Sequence, residues 1–120
     1  MEIDLVGLKP MIGMPIYRDM SAYTAKSLAL TIATLTKIGV DWALEMEIGS
    51  ALVHHARSKI ANTFLKSDSS HLFWIDADMV WQPNDMTRLL ALTKGDMDCI
   101  SVGYTEKNDN YLFQVELDTK

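Results

Sequence analysis

The stretch His71-Leu72-Phe73-Trp74-Ile75-Asp76-Ala77-Asp78 decides how the rest of the chain is read. Its first five residues are apolar or aromatic apart from the leading histidine, a run suited to a central strand covered on both faces. Two acids then follow with one residue between them. Charge at the end of a buried strand is costly unless it is paired or metal-bound, so Asp76 marks where the backbone leaves the core. Upstream, Ser67-Asp68-Ser69-Ser70 breaks a helix read over Ala51 to Lys66, in which Leu52, Ala56, Ile60 and Phe64 form an i, i+4 stripe. Before the turn at Gly49-Ser50, Ala43 to Ile48 alternates apolar and acidic residues, the period of a strand with one wet face. Met11 to Ile16 reads as a buried strand. Asp19 or Ser21 caps the helix that follows, with Leu28, Ile32 and Leu35 at helical spacing and Gly39 as its stop. Downstream, Met79 to Asp85 opens a helix whose Met86, Leu89 and Leu90 face the core. Two further strands are predicted over Asp98 to Gly103 and Tyr111 to Leu117, with Lys107-Asn108-Asp109-Asn110 as the turn between them.

The order β-α-β-α-β-α-β-β predicts an α/β fold with three layers, a mostly parallel sheet carrying helices on both faces. Neither a repeat nor a linker divides it, so residues 1–120 read as a single domain. In such sheets ligands collect outside the carboxyl ends of the strands. That rule selects Pro15 to Asp19, Gly49-Ser50, Asp76 to Asp78 and Tyr104 to Lys107.

Composition narrows the function classes. The chain has 120 residues, 48% apolar and 22% charged, the balance of a globular domain able to build a core without cross-links. Its one cysteine, Cys99, excludes an internal disulfide and a cysteine zinc cluster, so a cytoplasmic, reducing setting is expected. A net charge of -5 argues against a broad nucleic-acid surface. Acid in Met1-Glu2-Ile3-Asp4 argues against a signal peptide, and no apolar run is long enough for a transmembrane segment.

Asp76 and Asp78 are the sharpest chemical feature. On an extended chain, carboxylates at i and i+2 project to one side and can converge on a hard cation such as Mn²⁺ or Mg²⁺, which admits substrate phosphates to its open positions. The plain alternative is that one acid caps the next helix and the other is a solvated turn residue. Arg57 offers a planar fork for a phosphate or for a carboxylate such as Asp76, or is simply a surface arginine. Lys107 stands where it could meet a phosphate or be a turn lysine. His54 and His55 are adjacent on a helix and diverge by about 100°, which excludes a paired metal site. His71 begins its strand away from the acids. No Gly-x-Ser-x-Gly elbow, Gly-x-Gly-x-x-Gly or Walker loop occurs. Of the aromatics, Trp74 reads as core, while Trp81 and Tyr104 are candidates to stack on a base or sugar.

Taken together, Ala56-Arg57-Ser58, then His71 to Pro83 around Ile75-Asp76-Ala77-Asp78, then Gly103-Tyr104-Thr105-Glu106-Lys107 resemble the nucleotide-sugar-binding half of a GT-A-fold glycosyltransferase of the family 2 type. The resemblance extends to the first strand and its Pro15-Ile16-Tyr17 exit, and so covers nearly the whole chain. It implies a Rossmann-like nucleotide-binding half and transfer of a sugar from a nucleoside-diphosphate sugar to an acceptor hydroxyl. Pro15, Ile16 and Tyr17 would lie along the nucleoside and Glu47 would meet the base. Arg57, Trp81, Tyr104 and Lys107 would complete the nucleotide-sugar site. Asp76 would contact ribose or metal, and Asp78 would ligate Mn²⁺ or Mg²⁺. Family members often have Asn after the helix arginine, where this chain has Ser58. No residue stands out as the general base, and in the family the acceptor site, base and a further metal ligand come from a later half. The chain is therefore expected to be the donor-binding part of a longer enzyme, a small stand-alone relative, or one piece of an assembly. The alternatives are a noncatalytic nucleotide or nucleotide-sugar binding module working with a partner or as a homo-oligomer, or an inert α/β structural domain.

Overall fold

Pro10–Ile16 forms β1, the middle strand of a three-stranded parallel sheet in which Ala43–Ile48 (β2) and His71–Trp74 (β3) flank it. The structure is a computed structural model that describes residues 7–93 in full and the backbone of Ile100–Lys107 and Asn110–Leu117. Between the strands run α1 (Ala22–Lys37) and α2 (Val53–Lys66), and α3 (Pro83–Leu92) follows β3. Register is set by Met11 opposite Ala43 and Leu72, and by Ile16 opposite Ile48. Ile100–Lys107 (β4) and Asn110–Leu117 (β5) pair antiparallel as a second, two-stranded sheet. The expectation of an α/β fold with parallel strands and interposed helices is met by the three-stranded sheet.

Alternation along β1 sorts the helices. Ile12, Met14 and Ile16 join one buried cluster with Leu28 and Leu35 of α1, Met86 and Leu90 of α3, and Trp81. Gly13 presents the opposite side, where α2 lies so close that a Cβ on Gly13 would stand 2.7 Å from Cγ2 of Ile60. A glycine is thus required for α2 to settle onto the middle strand. Each fully buried aliphatic side chain here contributes about 1.5–3 kcal/mol of transfer free energy.

Local chemistry sets the helix ends. The Ser21 hydroxyl accepts the Tyr23 N–H at 3.2 Å to cap α1. At the other end Gly39, at φ 81, lets its own N–H reach the Thr36 carbonyl and the Val40 N–H reach that of Leu35. Pro83 opens α3, with the Gln82 N–H donating to Asp85 Oδ2 at 2.9 Å.

Three expectations are corrected. The aromatic strand lies beside the middle strand instead of occupying the middle, and Trp74, read as core, is 43% exposed. The third helix starts at Pro83, four residues later than Met79, because the chain first turns and then inserts Trp81 into the core. β4 runs to Lys107, which places that residue in a strand and not in the turn. Asp98 and Cys99 lie outside the described residues.

Candidate functional site at the carboxyl edge of the parallel sheet

Because the strands are parallel, the segments after Ile16, Ile48 and Trp74 all leave from one edge of the sheet. Connections from β1 and β2 depart to opposite faces, toward α1 and α2 respectively, the arrangement that opens a crevice at the carboxyl edge of an α/β sheet. Tyr17, Ile48, Leu52 and Val53 are exposed there. The Arg18 guanidinium stands over the Tyr17 ring at 5.2 Å from its centre, a cation–π contact on the rim.

The acids after β3 sit at the same edge. The Ile75 N–H donates to the Gly13 carbonyl at 3.0 Å, continuing the ladder one residue past the strand. The chain then folds back, with the Met79 N–H donating to the Asp76 carbonyl at 3.2 Å. Asp76 and Asp78 are therefore set around a turn, which corrects the extended geometry expected for them. The Ala77 carbonyl accepts the Ser21 N–H at 2.9 Å, tying this turn to the start of α1. Asp78 is exposed and Asp76 half-buried.

Helix α2 connects the site's charges. From its place over β1, Arg57 Nη2 reaches Asp76 Oδ1 at 3.4 Å, and Lys59 Nζ reaches Glu47 Oε1 at 3.3 Å. Residues two apart on a helix point to different sides, so one cation serves the exit of β3 and the other serves β2. Both contacts are partly solvated, which limits each to a fraction of a kcal/mol up to about 1 kcal/mol.

Several candidates are thus placed. Pro15 and Glu47 are register partners near the ends of β1 and β2, and Glu47 is already paired with Lys59. The Ile16 side chain is buried in the core and its carbonyl accepts the Gly49 N–H at 2.9 Å, so it offers no side-chain surface to a ligand. Trp81 is corrected outright as a stacking residue. It is only 6% exposed, its Nε1–H donates to Thr31 Oγ1 at 2.8 Å, and its backbone N–H donates to Ser27 Oγ at 3.2 Å. The side chains of Tyr104 and Lys107 lie outside the described residues. Trp74, at the end of β3 and open to solvent, is the aromatic that the sequence reading set aside. Its place in a continuous apolar run hid it, and only the order of the strands reveals it.

Histidine 71 belongs to the opposite edge. The Thr93 hydroxyl donates to the Leu90 carbonyl at 2.6 Å, so it accepts from His71 Nε2–H at 2.7 Å. Nδ1 then accepts from the Ser70 hydroxyl at 2.8 Å, while Ser70 Oγ takes the Lys9 N–H at 2.7 Å. This network holds a neutral imidazole, and burial pushes its pKa below the ordinary 6.5. Nearby, the Lys9 ammonium and the Asp68 carboxylate meet at 2.8 Å, which holds the Asp68 carboxyl below its usual range and the lysine above its own.

The donor set of the Asp76–Asp78 turn fits a hard divalent cation. Two carboxylates supply oxygen ligands, and an ion such as Mg²⁺ is commonly held by one or two carboxylates plus waters and substrate phosphates. Among the described residues no group of three or more His, Cys, Asp or Glu gathers as a metal cluster. Remaining coordination would thus fall to water and ligand oxygens. No helix among the described residues is long and apolar enough to cross a membrane. No protein-family model matches the chain, and neither a curated protein nor a solved structure does.

Proposed function

We propose that this chain is the donor-binding part of a metal-dependent glycosyltransferase, of the GT-A fold and family 2 type, taking a nucleoside-diphosphate sugar and passing the sugar to an acceptor hydroxyl. The observation that carries this reading is the Asp76–Asp78 turn at the carboxyl edge of a parallel sheet, with the Arg57 guanidinium beside it. Carboxylates alone repel a diphosphate. Carboxylates with a cation and an arginine make a site where the anion is attracted and its position fixed.

In this reading Asp78, the more exposed acid, holds the cation directly, and Asp76 stands between the cation and the ribose. Pro15, Tyr17 and the backbone of Ile16 lie along the nucleoside, with Glu47 at the level of Pro15 toward the base. Arg57 meets phosphate oxygens. Mn²⁺ or Mg²⁺, when bound, offsets the charge that builds on the departing nucleoside diphosphate. The chain's own part is to hold the cation on the carboxylates and to present the Arg57 guanidinium to phosphate oxygens at the mouth of the sheet.

The test is calorimetric titration of UDP in the presence and absence of Mn²⁺, for the parent and for Asp78→Ala. Binding that requires Mn²⁺ and is lost in Asp78→Ala supports the reading. Binding indifferent to a chelator defeats the metal role. A hydrolysis or transfer assay with sugar nucleotides then separates an enzyme from a noncatalytic binding module.

A further inference from the structure

We propose that Ser70, at the edge of the sheet opposite the carboxyl exits, is a nucleophilic serine that takes an acyl group from small activated esters, with His71 as its base. The hydroxyl is held between two short contacts of opposite sense. It donates its proton to Nδ1 of His71 at 2.8 Å, and its oxygen accepts the Lys9 N–H at 2.7 Å. The first contact gives the proton a place to go, and the second favours the negative charge that builds on the oxygen as the proton leaves. A third group orients the base. Thr93 Oγ1, which donates to the Leu90 carbonyl, accepts from Nε2–H at 2.7 Å and so keeps the lone pair on Nδ1, facing the serine. Burial lowers the pKa of the ring, so it is unprotonated and able to accept at neutral pH. Nucleophile, base and orienting group thus stand in line, the geometry by which such a constellation is recognised whatever the order of its residues in the chain. Ser70 is exposed, so an ester reaches it from solvent.

In the reaction, a bond forms between Ser70 Oγ and the acyl carbon as the bond from that carbon to the leaving oxygen breaks. The hydroxyl proton passes to Nδ1 and from there to the departing oxygen, so the products are an acyl-serine and a free alcohol or phenol. Neighbouring amides are committed elsewhere, the Ser70 N–H to the Lys9 carbonyl at 2.8 Å and the Ser69 N–H to Ser67 Oγ at 3.2 Å. Neither is free to hold the oxyanion of a tetrahedral intermediate, the stabilisation on which rapid turnover depends. The acyl-serine therefore forms once and hydrolyses slowly, which makes Ser70 a site of modification and not a centre of turnover.

Ser67 is an internal reference, because its hydroxyl donates to the Phe64 carbonyl at 2.7 Å instead of to a base. The experiment treats the full chain with p-nitrophenyl acetate and follows acetylation of each serine by peptide mass spectrometry. A positioned base contributes about 10²–10⁴-fold, so Ser70 should acetylate at least about a hundredfold faster than Ser67. His71→Gln should bring Ser70 down to the rate of Ser67. Thr93 is a positioning residue: Thr93→Val should slow Ser70 about two- to tenfold, the worth of one hydrogen bond, and Thr93→Ser should restore it. Circular dichroism checks that each variant is folded. That pattern supports the assignment. Equal rates at Ser67 and Ser70 in the parent, or acetylation of neither, overturn it without any variant. A Ser70 rate unchanged by His71→Gln overturns it as well.

Discussion

Replacing Gly13 by alanine tests the contact that seats α2 on the sheet. The added Cβ would lie 2.7 Å from Ile60 Cγ2 and 3.1 Å from Leu72 Cδ1. Ile60 is fully buried and has no solvent side to retreat to. Overpacking of this kind costs about 1–3 kcal/mol. Loss of glycine's freedom in the unfolded chain returns about 0.4–1 kcal/mol, leaving a net destabilisation of up to about 2.5 kcal/mol. Ile60→Ala alone costs about 2–5 kcal/mol by removing a buried side chain and leaving a cavity. In that background the Gly13 methyl enters the vacated space, so Gly13→Ala is expected to be neutral or stabilising. The unfolded-chain term is common to both backgrounds and cancels, so the two substitutions should couple by the relieved overpacking, about 1–3 kcal/mol, well above the few tenths seen between independent sites. Urea unfolding followed by circular dichroism on the four proteins of the cycle measures this, with thermal midpoints moving by about 4 °C per kcal/mol for a chain of this size. Additive behaviour within about 0.5 kcal/mol would refute the close approach of α2 to β1. The contact matters to the site because Arg57 lies three residues before Ile60 on the same helix.

Trp81→Phe keeps most of the ring's packing but removes the hydrogen bond to Thr31. Stability should fall by about 0.5–1.5 kcal/mol in denaturant unfolding, whereas a tryptophan standing free at the rim would show no change. Acid should weaken the fold through His71. Its folded pKa is depressed below 6.5 by burial, so the unfolded chain takes up the proton first and stability declines as pH drops from about 6.5 toward the folded value. Thermal midpoints at pH 7.5 and 5.5 should differ less in His71→Gln than in the parent, and an equal difference would remove His71 as the cause.

Period and capping chemistry were legible without any structure. Alternation over Ala43 to Ile48 matches β2 at both ends, and the Ser21 cap and Gly39 stop of α1 stand where side-chain and backbone chemistry put them. The α2 stripe was readable in part. Ala56 and Ile60 are buried as expected, but Leu52 precedes the helix and is exposed. The exchange of roles between Trp74 and Trp81 was not readable. Both sit in short apolar contexts, and which is covered depends on strand order and on Ser27 and Thr31, roughly fifty residues earlier in the chain. At the site, the acids' position after a strand was apparent from the residues, whereas the turn that bends them was not.

The amino-acid order by itself determined the succession of strands and helices and the chemical character of the strand exits, because those depend on neighbours within one or two turns. Only tertiary structure decided that β1 takes the middle, that α2 straddles it, and that Arg57 meets Asp76 while Lys59 meets Glu47. Such pairings join residues far apart along the chain. Their outcome follows from which faces can be buried together, and a local pattern of residues does not carry that information.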